Sequence, residues 1–124
     1  MKIKVVFVYC AVFLAIFGIL FVFIPSQALS LFAITLDTPG SMMVRLFGAA
    51  LVGLALIAWM ARDDPPSRAR TAIAWGECIE SAIAVIVLLV GIFSGIGNAL
   101  GWLSVVAHLA IALGFGYFLV TKSI

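Results

Sequence analysis

TAIAWGECIESAIAVIVLLVGIF, residues 71–93, is apolar along nearly all its length yet carries two carboxylates, Glu77 and Glu80. The stretch exceeds the roughly 20 residues that a helix needs to cross about 30 Å of hydrocarbon. Whether it is a membrane span or the core of a soluble domain decides the fold, and composition answers. The chain is 66% hydrophobic and 10% charged, where soluble domains hold roughly 45–50% and about 25%. Its mean hydropathy is +1.36. Lipid is the main solvent, and residues 71–93 are read as a span.

Three further stretches, residues 5–24, 42–61 and 100–120, have comparable length and few charges. The expected fold is all-α: a polytopic membrane protein forming one four-transmembrane-helix up-down bundle over residues 1–124. The connections agree. Ile24-Pro25-Ser26 ends the first span, and Thr38-Pro39-Gly40-Ser41 is read as a turn with Ser41 capping the second. Asp63-Asp64-Pro65-Pro66-Ser67 breaks the chain again, and Ser94-Gly95-Ile96-Gly97-Asn98 makes the last link. Residues 26–34, SQALSLFAI, are apolar enough to lie as a short helix in the headgroup layer.

Lys and Arg set the expected orientation. With a cytoplasmic N-terminus, Lys2, Lys4, Arg62, Arg68, Arg70 and Lys122 all fall inside, and of the seven basic residues Arg45 alone lies near the outer face. Both termini are therefore expected in the cytoplasm, with the chain in a bacterial inner membrane. The net charge of +2 reports topology and gives no nucleic-acid signal. The N-terminus, with KIK, an apolar run and SQA ending at Ala28, resembles a secretory signal, but its apolar run is too long for a signal core, so an uncleaved span is expected. Cys10 and Cys78 form no Cys-x-x-Cys pair and read as inert buried thiols.

Helical geometry sorts the polar residues. At 100° per residue, Glu77, Glu80, Ser81, Ala84, Leu88, Gly91 and Gly95 share one sector of the third span, with Ile79, Ala82, Ile86, Leu89, Val90 and Phe93 opposite. The carboxylates are thus expected to face protein. In the fourth span Gly97, Gly101, Ser104, His108, Ala112 and Phe115 share a stripe, and in the second Arg45 lies with Gly48, Ala49, Val52 and Leu56. Gly48, Ala49, Gly91, Gly95, Gly97 and Gly101 are read as close-packing positions between helices. Depth runs outward as Glu77, Glu80, His108, Arg45.

A charge at a helix centre costs roughly 2.5–3.5 kcal/mol on insertion scales, so the cluster of Glu77, Glu80, Ser81, Ser104 and His108 needs a rationale. Three remain open: polar glue holding the bundle in register, a proton or solute path, and metal ligation. The last lacks the Glu-x-x-His spacing of carboxylate-bridged bundles, and no metal or cofactor is expected. Arg45 is read as snorkelling at the outer interface in a pair with Asp37. Trp59, Trp75, Trp102 and Tyr117 fall near span ends, as interfacial belt residues do.

RLFGAALVGLALIAWMAR, residues 45–62, and NALGWLSVVAHLAIALGFGYF, residues 98–118, resemble the small four-helix bacterial membrane proteins of the DoxX-like kind. The resemblance implies a four-helix inner-membrane protein, sometimes associated with a redox or oxidase partner, and assigns no catalytic residue. With His108 the single histidine and no phosphate-binding glycine pattern, catalytic signatures are missing. Two functions are expected in competition. One is a non-catalytic accessory subunit packing against other integral membrane proteins or its own copies. The other is a small oligomeric proton-coupled transporter or channel using Glu77, Glu80 and His108. A cavity reached by these side chains favours the transporter, and a closed core favours the subunit.

Overall fold

The computed structural model describes residues 2–124. The elements are α1 (Ile3–Phe23), α2 (Pro25–Ser30), α3 (Thr38–Ala61), α4 (Arg68–Phe93) and α5 (Gly101–Val120), and no strand occurs among the described residues. All but α2 are long and apolar enough to cross a membrane. They run up and down, so both termini lie at one end of the bundle, the terminal end, together with the α3–α4 connection. The loop end carries α2 and the α4–α5 connection.

Helix limits follow local capping. α3 begins at Thr38, four residues before the expected start, because the Asp37 carboxylate accepts a hydrogen bond from the Gly40 N–H at 2.7 Å. Pro39 fits the first turn, where its missing N–H has no helical partner to lose. Thr38-Pro39-Gly40-Ser41 is therefore the opening of a helix and not a turn, and Asp37, not Ser41, is the cap. Ser67 does the same for α4, accepting from the Arg70 N–H at 3.1 Å, which draws Arg68 and Arg70 into the helix. At the other end of α4, Gly95 takes φ +79°, the Ile96 N–H reaches the Gly91 carbonyl and the Gly95 N–H reaches that of Ile92. That double bond pattern is the Schellman stop, and it favours glycine at the left-handed position.

Around the ring the order is α1, α3, α4, α5, each helix beside its chain neighbours. Two seams are tight: α1 with α3, and α4 with α5. Gly18 of α1 and Gly48 of α3 let the first pair touch backbone to backbone. α3 presents Gly48, Leu51, Ala55, Ala58 and Ala61 as its buried face, mostly small residues that bring α1 close. The pairs join at the terminal end, where Val6 of α1 packs into the space left by Gly114 of α5 and the Phe7 and Phe115 rings meet edge-on, centroids 4.8 Å apart. α3 and α4 meet only slightly.

Charges gather at the terminal end. Lys4 and Arg62 both pair with Asp63, at 2.5 and 3.2 Å. Arg70, almost wholly buried, donates to the Asp64 carbonyl at 2.6 Å. At the loop end Arg45 does not pair with Asp37. Its guanidinium donates to the Val22 carbonyl, one of the last four in α1, which have no N–H partner within the helix. Asp37 is occupied as the α3 cap, so the expected interfacial ion pair is replaced by two separate helix-end contacts.

Candidate ligand cavity

The polar cluster divides by depth along α4. Glu77 and Ser81 face the packed half of the bundle and are buried, at 2% and 0% exposure. The Cys10 thiol of α1 donates to Glu77 Oε2 at 3.3 Å, so Cys10 is a partner of the carboxylate and not merely filler. Cys78 donates to the Ala112 carbonyl of α5, also at 3.3 Å. Ser81 Oγ donates to Glu80 Oε2 at 3.1 Å. Among the described residues the ion pairs are those of Asp63, so neither Glu77 nor Glu80 has a cationic partner. No group of three metal-ligating side chains comes together among them either.

Beyond Glu80 towards the loop end, the helix pairs separate around a cavity of about 660 Å³. Glu80, Ala84, Leu88 and Gly91 form the α4 wall, and Gly101, Ser104 and His108 the α5 wall. Both spans thus turn these residues towards the interior, but in this half they border open space. Gly91 has nothing within 4 Å of where a side chain would begin, and Gly95 likewise, so these two are not packing positions. Gly101 is in contact with Ile92, and Gly97 approaches the Phe32 carbonyl. Gly48 packs as expected, whereas Ala49 is exposed on the outer surface of α3.

The α1 wall is aromatic and carries no polar residue that would mark it in the sequence. Phe13, Phe17 and Phe21, four residues apart, line the cavity with Phe32 and with Phe47 of α3. Their rings form a connected series, with centroids 5.0 Å apart for Phe13 and Phe17, 5.7 Å for Phe17 and Phe21, and 6.1 Å for Phe21 and Phe47. The signal was present as a phenylalanine on successive turns of one face, but in a uniformly apolar span nothing distinguishes such a face from lipid-facing surface.

Phe13 also meets the His108 ring edge-on at 5.1 Å. His108 Nδ1 lies 2.8 Å from the Ser104 carbonyl oxygen. A carbonyl only accepts, so Nδ1 carries a proton, and in the neutral tautomer the lone pair is on Nε2. Glu80 and His108 therefore stand on neighbouring helices, α4 and α5, along the wall of one cavity, with no bond to each other. Asn98 lies at the loop end, its side chain donating to the Leu31 carbonyl at 2.9 Å and accepting from the Leu100 N–H at 3.0 Å.

The cavity reaches the surface at the loop end, where lining Ile96 is 59% exposed, and at the loose seam. Phe47 of α3 and Ile83 and Val87 of α4 line the seam opening while remaining 51%, 55% and 64% exposed. Ile83 and Val87 sit in the middle turns of a spanning helix, so the opening faces acyl chains. On the far side of α4, Ile79, Ile86, Val90 and Phe93 are exposed as lipid-facing residues should be.

Residues 9–123 match a protein family described as a domain of unknown function, DUF8292. No curated protein and no solved structure matches the chain.

Proposed function

We propose that this protein, which belongs to the DUF8292 family across residues 9–123, is a small carrier that takes a lipophilic solute from the bilayer and links its passage to a proton held at Glu80 or His108. The observation that supports this reading is the placement of two ionisable groups from different helices on the wall of one 660 Å³ cavity. That volume lies within the range of small-molecule sites, and apolar walls with a few convergent polar groups are their usual make-up. Ionisable groups are retained inside membranes chiefly for function. Glu77, packed against Cys10, is left to a structural role.

The gathering of Lys2, Lys4, Arg62, Arg68, Arg70 and Lys122 at the terminal end supports a cytoplasmic position for both termini and an inner-membrane location.

The test is a reconstitution. Vesicles carrying the protein and an imposed pH gradient are challenged with lipophilic acids, bases and neutral compounds. At least one class should dissipate the gradient with the wild-type chain and not with Glu80→Gln. Failure of every class would overturn the carrier.

One observation favours a second reading, an accessory subunit. Ala49 and Gly53, four apart on α3, are exposed, with open space beyond Gly53. Such a ridge suits close packing by a helix of another membrane protein or a second copy. Comigration with larger proteins in mild detergent, in fixed proportion, is the expected result for that reading.

A further inference from the structure

We propose, resting on the carrier reading, that the molecule admitted to the cavity is a lipophilic amine held as its ammonium ion. Its N–H groups donate to the Glu80 carboxylate and to His108 Nε2, and its hydrocarbon body lies among the phenylalanine rings.

Two acceptors on the walls, Glu80 when ionised and His108 Nε2, suit this class. His108 Nδ1 is spent on the Ser104 carbonyl, which leaves Nε2 as an acceptor. The Ser81 hydroxyl hydrogen is directed at Glu80. Asn98 spends one of its two amide N–H groups and its oxygen on backbone groups of the loops. Facing the cavity are Glu80, an acceptor once ionised, His108 Nε2, and the Ser104 hydroxyl, which can donate or accept.

Charge points the same way. No Lys or Arg lines the cavity, and Glu80 has no cationic partner among the described residues. A carboxylate ligand would meet Glu80 with nothing to offset the repulsion, whereas an ammonium supplies the missing counter-ion. Phe13, Phe17, Phe21, Phe32 and Phe47 add ring faces that attract a cation when water is excluded. At roughly 30 Å³ per heavy atom, the space suits a molecule of about 20 such atoms.

Binding and proton release are then one event. Glu80 as the carboxylic acid gives up its proton when RNH₃⁺ binds, leaving the carboxylate paired with the ammonium: one cation enters the site, one proton leaves and its charge is conserved. The titratable groups around Glu80 are Glu77 and Cys78 on α4, Cys10 on α1 and His108 on α5, and α3 brings none to the cavity.

The experiment uses the full chain in nanodiscs and four radiolabelled amphiphiles of equal tail length: dodecylamine, dodecyltrimethylammonium, dodecanol and dodecanoate. Dodecylamine should bind saturably, weakening roughly tenfold per pH unit on the acid side. Dodecyltrimethylammonium, with no N–H, should bind several-fold more weakly, and the other two should not saturate. Glu80→Gln should lose at least about tenfold and flatten the pH dependence, while Glu80→Asp retains it. His108→Phe should narrow the preference for the primary over the quaternary amine. Should Glu80→Gln fail to fold, the wild-type pH series and Glu80→Asp decide. Dodecanol or dodecanoate binding as tightly as the amine, or Glu80→Gln binding like wild type, overturns the amine and leaves the carrier reading. No saturable binding of any of the four by a chain of intact helicity overturns both.

Discussion

Gly18 and Gly48 face each other across the α1–α3 seam so closely that a methyl group at Gly48 would stand 2.8 Å from the Gly18 carbonyl oxygen, and one at Gly18 would stand 3.0 Å from that of Gly48. The atoms approached are backbone, which cannot swing aside. The tightest seam of the bundle therefore depends on two missing side chains.

Gly48→Ala should destabilise the protein by about 1–3 kcal/mol, the cost of overpacking a fitted contact. Gly53→Ala, five residues along and with nothing within 4 Å, should be neutral or gain up to about 1 kcal/mol from helix propensity. Thermal unfolding in one detergent, followed by circular dichroism, compares them. Equal effects would show that the seam is looser than the backbone contacts require.

Asp37 separates capping from ion pairing. Asp37→Asn preserves an acceptor for the Gly40 N–H and should change stability by only a few tenths of a kcal/mol, whereas Asp37→Ala should cost about 1 kcal/mol. Were Asp37 instead the counter-ion of Arg45, the two variants would lose alike.

Cys10 supplies the hydrogen bond that Glu77 receives in a buried setting. Cys10→Ala should cost about 1–3 kcal/mol, because it strands a polar group that water cannot reach. Cys10→Ser, which restores a donor, should recover a good part of the loss in the same unfolding assay.

Acid weakens the tie between the N-terminus and the α3–α4 connection. The hydrogen bond from the Lys4 ammonium, aided by the charges of Lys4, Arg62 and Arg70, holds the Asp63 carboxyl below its ordinary value. A depressed folded-state value means a stabilisation that is complete above the unfolded value, about 3.9, and is lost as pH falls through the folded one. The stability difference between wild type and Lys4→Ala should thus be small, constant near neutrality, and vanish in strong acid. A difference that grows on acidification would contradict the pairing.

Hydropathy alone made the four spans legible, because each is long enough to cross and too apolar to stay in water. Angular position on α4 separated Glu77, Glu80 and Ser81 from Ile79, Ile86 and Val90 for an equally simple reason: helix pitch is fixed. Angle does not say whether facing helices close on each other, so Gly91 read as a packing residue although it walls a cavity. Pro39-Gly40 read as a turn because both residues favour turns, and the capping geometry of Asp37 that absorbs them into α3 emerges only from backbone direction. Ala49 has the right size for an interface but points away from the bundle. Neither the Phe13–Phe17–Phe21 series nor the freedom of His108 Nε2 could be read without knowing what stands opposite.

The mouth between α3 and α4 has one more consequence. A site that opens among acyl chains is filled from the membrane phase, so occupancy follows the amount of a compound dissolved in lipid and not its aqueous dose. Two solutes with the same intrinsic fit would then rank by their partition coefficients, and the bilayer itself becomes the first filter of selectivity.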